Sequence, residues 1–433
     1  MDRGSQAICG TDTSTQSNPA IGSVGRFQRY VDRLKRLPEL DPDPNEALRE
    51  LIPVSVRRRA GAFFTTAGLA EALVRPFSSE LNTAPIVLDP TCGAGDLLIA
   101  SARHFKSFED HERRLEEWSQ RIHGRDLFEE FVLAARVRMY LEATKSATRV
   151  PNLKELFPHV RSGCSLSSTE MYAAASHIVL NPPFTLVAAP DGCKWRTGRV
   201  SAAALFLEQA AKHGAPGTRI AAVLPDVLRS GSGYEKWRTM IERHLVIEGV
   251  TVAGRFARWA DVDVFLLHGI VKQPTERRYN GKWVPTGVAD DTVGKHFTIS
   301  VGPLIDYRSP KKGARRPYLT VDGAPSWGTI SSNQPAKYRR FSGTVFKPPF
   351  VLVRRTSRFG DKHRAVATIV TGRCLVAVEN HLMVLVPHNG SLASCEGLLQ
   401  VLQDKQTTKW LDARIRCRHL TVSALRAVPW WRR

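Results

Sequence analysis

Between residues 85 and 271 the sequence alternates between short apolar runs and longer stretches with helical spacing. This alternation restricts the fold more than any other feature. The predicted strands are residues 85–88, 121–127, 178–180, 218–225, 247–252 and 262–271. The predicted helices begin near Asp96 and include residues 134–141, 202–211 and 235–245. Such alternation predicts an α/β fold, with a doubly wound sheet and right-handed crossovers.

The composition changes on both sides of this region. Residues 1–25 are rich in Ser, Thr, Gly and Gln, which predicts a disordered leader, and residues 26–60 have the spacing of short helices broken by prolines. From about residue 275 the texture changes to short β-like runs, at 350–353, 367–370 and 381–386, and then to a helical tail over 392–411. We therefore predict a first domain over residues 61–273 and a second, β-rich domain over residues 275–433.

The two predicted domains differ in charge. The chain carries 62 Lys and Arg against 41 Asp and Glu, a net charge of +21. Residues 271–433 hold 28 basic and 10 acidic side chains, a net charge of +18, whereas residues 1–270 have a net charge of only +3. A near-neutral first part and a strongly basic second part predict that the second part binds a polyanion. The alternative is a basic surface that is simply solvated.

The stretch Asn181-Pro182-Pro183-Phe184 follows the apolar run at 178–180 directly. Because proline lacks a backbone N–H and fixes φ, the strand must end there, and in an open α/β sheet ligands bind at that end. The Asn181 side chain and the Pro182 backbone each offer a carbonyl oxygen, and Phe184 offers a flat ring. These groups suit a planar ring with an exocyclic amine, whose lone pair becomes nucleophilic when both hydrogens are bound. The alternative is an ordinary turn that ends a core strand.

A glycine-rich turn follows the first predicted strand, in the order Asp89-Pro-Thr-Cys-Gly93-Ala-Gly95. The two glycines allow a ligand to approach the backbone closely. The nucleotide fingerprint Gly-x-Gly-x-x-Gly is incomplete because Leu98 occupies its third glycine position. Asp126 ends the second predicted strand, a position that suits ribose hydroxyls, although a helix N-cap is the alternative.

The cysteines and the hydropathy pattern indicate the compartment. The seven cysteines include no Cys-x-x-Cys pair, which is typical of a reducing compartment and not of a disulfide framework. Cys374, Cys395 and Cys417 fall near His381 and His419, but their spacing matches no zinc module, so we expect buried thiols and no metal. No uninterrupted apolar run approaches ~18 residues, and the N-terminus lacks the apolar core of a signal peptide. We predict a cytoplasmic protein with no membrane segment.

The turn from Asp89 to Gly95, together with Asn181–Phe184, resembles the DNA (adenine-N6) methyltransferases that use S-adenosylmethionine. The order of cofactor loop, tetrapeptide and C-terminal recognition domain is similar to that of the gamma group and of type I modification subunits. The resemblance covers roughly residues 55–271 and, more loosely, 345–430. It implies a Rossmann-like methyltransferase sheet with a C-terminal, β-rich target-recognition domain.

The resemblance also implies roles for individual residues. Asn181, Pro182, Pro183 and Phe184 match the catalytic tetrapeptide. The positions that match the S-adenosylmethionine site are Thr65, Asp89, Cys92, Gly93, Gly95, Asp126 and Cys164. Thr66 stands where the family usually has proline. Cys164 replaces the carboxylate that usually accepts from the cofactor's adenine amine. Because a thiol is a poor acceptor, we expect weaker cofactor binding or substitution by a neighbouring carbonyl.

The resemblance further implies that the substrate is adenine, flipped out of double-stranded DNA and stacked on Phe184. Phe256 is a candidate second aromatic against the base, with a core phenylalanine as the alternative. Arg354, Arg355 and Arg358 follow a predicted strand closely, so we expect them to share one DNA-contacting surface. The context implied is restriction–modification or phage defence, with a cognate restriction or specificity subunit as partner.

Two other functional classes stay open. An Asn-Pro-Pro-Phe site also serves N-methylation of RNA or of protein glutamine, although the basic, β-rich second domain favours DNA. A DNA-binding module without catalysis is the other class, and Cys164 leaves it open. The recognition sequence does not follow from residue types.

Overall fold

The computed structural model describes residues 64–431 apart from 84, 107–108, 145–154, 258–259, 274–282, 285–288 and 417. The predicted leader over residues 1–25 and the helical segment over 26–60 lie outside the described residues. The chain divides into two compact units, the first comprising residues 1–228 and 233–281 and the second comprising residues 229–232 and 282–433.

The first unit is built on a mixed sheet with helices between most of its strands. Its strands are β1 (Val87–Asp89), β2 (Ile122–Asp126), β3 (Val160–Ser162), β4 (His177–Leu180), β5 (Leu186–Ala188), β6 (Arg199–Ser201), β7 (Arg219–Pro225), β8 (Leu245–Ala257) and β9 (Ala260–Val271). Seven of them form one sheet in the order β3-β2-β1-β4-β7-β9-β8, and β5 and β6 form a separate hairpin. The predicted α/β sheet is confirmed.

The helices follow the predicted positions closely. They are α1 (Ala67–Val74), α2 (Ser78–Leu81), α3 (Asp96–Ala102), α4 (His111–Arg121), α5 (Glu129–Thr144), α6 (Glu170–Ala174), α7 (Ala202–His213), α8 (Asp226–Ser230) and α9 (Glu235–His244), with 3-10 turns at Arg75–Phe77 and Ser232–Tyr234. Helix α3 is buried at every residue from Leu97 to Ala102. Each large apolar side chain buried in this way contributes about 1.5–3 kcal/mol. The loop before α3 is thus attached to one of the most deeply packed elements of the unit.

The strict alternation predicted for residues 85–271 fails at its end. Strands β8 and β9 are consecutive and antiparallel, and β9 also runs antiparallel to β7. Only residues 258–259 separate β8 from β9, and so short a connection can only reverse the chain. The last crossover helix is therefore absent, and the sheet is parallel from β3 to β7 and antiparallel beyond it.

The second unit has two sheets. Its strands are β10 (Phe297–Val301), β11 (Arg315–Leu319), β12 (Thr329–Ser331), β13 (Tyr338–Arg340), β14 (Phe350–Arg354), β15 (Ala367–Thr371), β16 (Ala377–Val378) and β17 (Leu382–Pro387). They form a five-stranded sheet in the order β10-β17-β14-β15-β12 and a three-stranded sheet in the order β13-β11-β16. The predicted β-rich texture is confirmed.

The five-stranded sheet is covered on both faces. Val351 and Val353 pack with Leu398 and Leu402 in one apolar cluster, whereas Phe350 and Leu352 belong to a second cluster. Because side chains alternate across a strand, β14 contributes to both cores. This burial on both faces explains why β14 reads as a continuous apolar run.

The helices of the second unit are α10 (Val293–His296), α11 (Leu392–Gln403), α12 (Lys405–Arg414) and α13 (Val422–Arg426). The helical tail predicted over 392–411 is confirmed, and it consists of two helices, α11 and α12. Asp404 is extended, and its carboxylate accepts a 2.8 Å hydrogen bond from the backbone N–H of Gln406, which caps α12. An aspartate that caps a new helix ends the preceding one.

Candidate active site

Three strand ends bring the main candidate residues to one edge of the sheet. Asp89 is the last residue of β1, Asp126 is the last residue of β2, and Asn181 follows the last residue of β4. Strand β1 pairs in parallel with both β2 and β4. Because parallel strands end at the same edge, the two carboxylates and the Asn181 amide lie at the carboxyl edge of the sheet, where ligands bind in such folds.

The glycine-rich turn depends on residues without a side chain. Gly93 and Gly95 have φ angles of +50° and +85°, which are left-handed values that glycine adopts readily. A Cβ on Gly95 would lie 3.1 Å from the Ala135 Cβ on α5. The Gly93 N–H donates a 2.9 Å hydrogen bond to the Asp126 carboxylate. The turn is therefore packed against α5 and joined to the end of β2.

Asp126 accepts hydrogen bonds from the backbone on both of its oxygens. One oxygen accepts from Gly93, and the other accepts from Phe128 at 3.0 Å, just before α5 begins. The bond to Phe128 is the cap-like contact expected of the N-cap alternative. A carboxylate has about four acceptor positions, so these bonds leave capacity for ribose hydroxyls. The geometry is compatible with both interpretations of Asp126.

Burial shifts the acidity of both carboxyl groups. It raises the pKa of Asp89 to about 8 and that of Asp126 to about 6. Hydrogen bonds from Thr91 act against the shift at Asp89, and the nearby charge of Asp126 adds to it. Both groups therefore gain from a bound cation or from hydroxyl donors, since either stabilises the ionised form.

A buried ion pair holds the start of α3. Arg138 on α5 donates 2.6 Å hydrogen bonds to the Asp96 carboxylate and to the Ala94 carbonyl. The other Asp96 oxygen accepts from the Thr65 backbone N–H at 3.2 Å. Sequence reasoning did not identify Arg138 or Asp96 as site residues. The sequence gives little indication of this pair, because Arg138 lies 42 residues after Asp96, on a helix with few other distinguishing features.

Thr65 connects this network to the tetrapeptide. The Asn181 Nδ2 donates a 2.9 Å hydrogen bond to the Thr65 hydroxyl. Thr65 is buried, and it lies just before Thr66, the N-cap residue of α1, whose side chain makes no capping hydrogen bond. The amide group of Asn181 is thus oriented through Thr65, with its oxygen directed away from that hydroxyl.

Two aromatic rings lie beside the tetrapeptide. The rings of Phe184 and Phe256 meet edge to face, with centroids 5.6 Å apart and an interplanar angle of 86°. Phe256 is buried, and Phe184 packs against the same apolar core while remaining partly exposed. The structure brings these two rings together from β8 and from the residues after β4. The packing of Phe256 also matches its alternative as a core residue.

The segment after β3 closes another side of the site. The Gly163 N–H donates a 2.7 Å hydrogen bond to the Asp126 carbonyl. The Ser165 hydroxyl donates to the Pro90 carbonyl at 2.5 Å. Cys164, between them, is disulfide-bonded, whereas the cysteine pattern predicts a reducing compartment and no disulfide framework. A disulfide sulfur is no better an acceptor for an adenine amine than a thiol.

The other cysteines differ in exposure. Cys92 is buried, and burial raises the pKa of its thiol well above the ordinary value, so it contributes packing and backbone geometry and not a thiolate. Cys395 is buried as expected, but Cys374 is exposed, which corrects the prediction of a buried thiol there. Within the described part of the chain, no group of three or more His, Cys, Asp or Glu could hold a metal ion.

Leu127 is a site candidate that sequence reasoning missed. Its side chain is 46% exposed, which is unusual for leucine, and it follows Asp126 directly. An apolar surface beside the carboxylate that ends β2 is suited to pack against a flat ring. The signal was present in the sequence as a large apolar residue after the acid that ends β2.

The three arginines proposed for DNA contact are in the second unit. The Arg354 guanidinium donates to the Ala324 carbonyl at 3.0 Å, and the Arg355 guanidinium donates to the Asn380 carbonyl at 3.5 Å. Both side chains are half-buried, and only Arg358 is exposed. The structure therefore directs Arg354 and Arg355 to different neighbours and does not gather the three on one exposed surface.

Among the described residues, no helix is long and apolar enough to span a membrane.

Comparison with known proteins agrees with this arrangement. Residues 48–255 match the family model for N-6 DNA methylases. A search of curated proteins returned no match. The Type IIL restriction-modification enzyme MmeI, solved in complex with DNA, aligns with a TM-score of 0.61 and 14% identity over 90% of this chain and 70% of that chain.

Two further solved structures align less well. The type IIG restriction endonuclease BpuSI has a TM-score of 0.46 and 13% identity over 88% of this chain and 60% of that one. The EcoKI M protein, of a type I restriction enzyme, has a TM-score of 0.36 and 15% identity over 64% of this chain and 62% of that one. The TM-scores of these two alignments are below 0.5, so neither supports an argument. The MmeI alignment, at 14% identity, shows a similar fold and nothing further.

The mixed sheet and the matched region together define a methyltransferase of the α/β class. Residues 48–255, slightly less than half of the chain, match N-6 DNA methylases, and this match supports an adenine-specific DNA methyltransferase. The same match implies the use of S-adenosylmethionine.

Proposed function

We propose that the chain methylates the N6 amine of adenine in a specific sequence of double-stranded DNA, within a restriction–modification system, and that residues 181–184 carry the chemistry. One observation supports this most directly. The Asn181 amide is held by the Thr65 hydroxyl at the edge of the sheet where β1 and β2 end in Asp89 and Asp126. An amine-binding group and two carboxylates suited to a cationic cofactor thus share one edge.

The residues present fit S-adenosylmethionine. Asp126 would bind its ribose hydroxyls, and the left-handed turn at Gly93 and Gly95, which carries no side chains at those positions, would accommodate its methionine part. Burial raises the pKa of Asp89 to about 8, and a nearby sulfonium charge would favour its ionised form. Cys164 does not fit as an acceptor, so a backbone carbonyl nearby would take that role. The cofactor, when bound, supplies the electrophilic methyl group.

The chain's own residues prepare the amine. The Asn181 side-chain oxygen and the Pro182 carbonyl would each accept one hydrogen of the N6 amine, which localises the nitrogen lone pair and directs it at the methyl group. Phe184 would stack on the base, and Phe256 would support that ring from its edge. An adenine inside a duplex cannot reach these groups, so the base must be flipped out of the helix.

Expression in a host without adenine methylation tests the proposal. Sequencing that detects modified adenine should find N6-methyladenine at one sequence motif with the parent chain. Asn181→Ala should reduce the transfer rate by about 10²–10³, as for the loss of one aimed acceptor or donor, with little change in cofactor affinity. Asn82→Ala, at an exposed asparagine of the same unit, is the matched control. Parental methylation by Asn181→Ala would remove the tetrapeptide from the mechanism.

Cys164 favours one second candidate, a DNA-binding module without catalysis. The family's usual acceptor is absent there, and the position carries a disulfide. Titration with S-adenosylmethionine separates the two functions, because a binding module has no need of cofactor affinity. Measurable affinity together with modified adenine excludes the module, and the absence of both supports it. Whether a nuclease or specificity subunit acts with this chain is tested by purifying it from its native host.

A further inference from the structure

Strands β11 and β13 form an antiparallel pair that we call the arginine ribbon. Its register places Arg315 opposite Arg340 and Arg316 opposite Arg339, with Pro317 opposite Tyr338. Residues that are directly opposite in such a pair project from the same face, and neighbours along a strand alternate. Arg315, Arg340 and Tyr338 therefore share one face of the ribbon, and Arg316 and Arg339 share the other.

The face with Arg339 is occupied by internal contacts. Arg339 forms an ion pair with Asp306 and donates to the Asp306 and Ser309 carbonyls at 2.9 and 2.8 Å. Its guanidinium also lies over the Tyr318 ring, 5.8 Å from the centroid. This arginine therefore has a structural role, because it attaches the 306–309 loop to the ribbon.

On the opposite face, the described residues provide no comparable set of partners. Arg315 lies over the Tyr338 ring, 4.5 Å from its centroid, and Arg340 has only a long 3.4 Å contact with the Gly313 carbonyl. Both arginines are exposed, Tyr338 is 50% exposed, and neither arginine is in an ion pair among the described residues. Like charges directly opposite each other destabilise strand pairing. An anion bound across Arg315 and Arg340 would relieve this repulsion.

The residues around the arginine ribbon are also mostly positively charged. Residues 306–316 and 337–340 contain eight Lys and Arg side chains and one acidic side chain, Asp306, which is already paired with Arg339. Lys311, Lys312 and Lys337 are exposed beside the ribbon. By contrast, Arg354 and Arg355 are half-buried against carbonyls. The ribbon is thus more available to a ligand than Arg354 and Arg355 are.

We infer that the exposed face of the arginine ribbon, formed by Arg315, Arg340 and Tyr338, binds the phosphate backbone of double-stranded DNA. The inference rests on the proposed function, since DNA is the polyanion on which a DNA methyltransferase acts. A guanidinium matches a phosphate with two parallel hydrogen bonds, and a tyrosine hydroxyl also binds phosphate. Contacts of this kind position the protein on the duplex without reading its sequence.

The test compares two double variants of the full-length chain. Arg315→Gln/Arg340→Gln removes the paired charges, and Lys405→Gln/Lys409→Gln removes two exposed charges from α12 in the same unit. Binding to a labelled duplex of arbitrary sequence is followed by fluorescence anisotropy between about 50 and 200 mM salt. The ribbon variant should flatten the slope of log affinity against log salt by about 1.8, or 0.9 for each phosphate that is no longer neutralised. The control should keep the parental slope.

Two further measurements separate the effect of the lost charges from an effect on folding. Arg315→Lys/Arg340→Lys should restore most of the slope, because it retains both charges. Thermal melts of all variants establish that each is folded. An unchanged slope in the ribbon variant overturns the inference, and so does an equal flattening in the control. If the ribbon binds an acidic protein surface and not DNA, the slope of the ribbon variant will be unchanged.

Failure of the proposed function is distinguishable from failure of the ribbon. The binding measurement uses no cofactor and needs no methyl transfer. If the parent chain binds DNA but produces no N6-methyladenine, the proposed function fails and the ribbon is still tested by the slopes. If the ribbon variant methylates at the parental rate on saturating DNA but with the flattened slope, both proposals stand.

Discussion

At the scale of single residues, Thr65 makes two contacts that predict a positioning role for it. Its backbone N–H binds Asp96 at the start of α3, and its hydroxyl accepts from the Asn181 amide. The first contact needs only the backbone, whereas the second needs the hydroxyl. A substitution that removes only the hydroxyl therefore separates the orientation of Asn181 from the packing of α3.

Thr65→Val is the substitution that tests this positioning role. It keeps the shape of the side chain and the bond to Asp96, but it removes the hydroxyl that accepts the 2.9 Å hydrogen bond from the Asn181 amide. We expect the rate of methyl transfer to fall about tenfold or more, since small misplacements of a reacting group are costly. Cofactor affinity, measured by calorimetry, should change little, and Thr65→Ser should restore the rate. A loss of cofactor affinity with an unchanged rate would instead make Thr65 a direct cofactor ligand.

The acidity of Asp89 and Asp126 predicts how cofactor binding depends on pH. Burial raises their pKa values from the ordinary 3.8 to about 8 and about 6. Without ligand, the folded chain holds protons that the unfolded chain releases, so its stability falls as pH rises from about 4 to about 8. A cation bound near these groups favours their ionised forms. Affinity for S-adenosylmethionine should therefore increase from about pH 6 to about pH 8 and then level off.

S-adenosylhomocysteine is the control ligand for this pH dependence. It has the same ribose and amino-acid groups but lacks the sulfonium charge, so its affinity should change less over the same range. Asp89→Asn should also remove most of the rise between pH 7 and pH 8, because its side chain does not titrate. Parallel pH profiles for the two ligands, measured by calorimetry, would show that neither carboxylate senses the sulfonium.

At the scale of elements, the glycine turn and α3 form one packed assembly. Gly95 has a left-handed backbone, and a Cβ there would also meet Ala135 on α5. Gly192 has a similar φ of +78°, but a Cβ there would meet nothing within 4 Å. The pair separates the effect of backbone strain from the effect of a steric contact with a neighbouring helix.

Gly95→Ala should therefore be more destabilising than Gly192→Ala. The backbone term is common to both and amounts to about 1 kcal/mol, and the contact with Ala135 adds to it only at Gly95. We expect a lower melting temperature for both variants, with a further loss of about 1–3 kcal/mol in Gly95→Ala from overpacking. Thermal denaturation of the apo-protein measures the difference. Equal losses would mean that α5 moves to accommodate the new methyl group.

Which elements could be predicted depends on how local their signal is. The runs that became β1, β4 and β7 are mainly apolar, so their burial could be predicted from residue types. Strand β3 has only Val160 buried, with Arg161 and Ser162 exposed, and it was missed because neighbouring strands specify it more than its own composition. The β8–β9 hairpin was predicted as two strands, but their reversed direction depends on a two-residue connection whose effect periodicity does not show.

Parts of the candidate site likewise differ in whether they can be predicted from neighbouring residues. Asn181–Phe184 is contiguous, so its chemistry could be argued from four neighbouring residues. The bonds that orient it join residues that lie 31 to 116 positions apart, as between Thr65 and Asp96 or Asn181. The exposed arginine pair was likewise hidden, because only the register between β11 and β13 brings the doublets at 315–316 and 339–340 together. Arg354 and Arg355 were favoured instead by their proximity to an obvious strand.

At the scale of the whole molecule, charge is distributed unequally along the chain. Residues 271–433 carry a net charge of +18, and residues 1–270 carry +3. The candidate cofactor residues all lie in the near-neutral part, whereas the arginine ribbon lies in the basic part. Binding of a small cofactor with charges of both signs releases few counterions, but binding of DNA releases about one for each phosphate neutralised. The two ligands should therefore respond differently to salt.

This difference in salt response can be measured on the intact chain. Between about 50 and 200 mM salt, affinity for S-adenosylmethionine should stay nearly constant. Affinity for a duplex should fall linearly on logarithmic axes, by about 10³–10⁵ if 6–10 phosphates are contacted. Calorimetry for the cofactor and anisotropy for DNA, in the same buffers, give the two slopes. A shallow slope for DNA would mean that the basic surface is only solvated, and a steep slope for the cofactor would mean that its site depends on charges outside the β1–β4 edge.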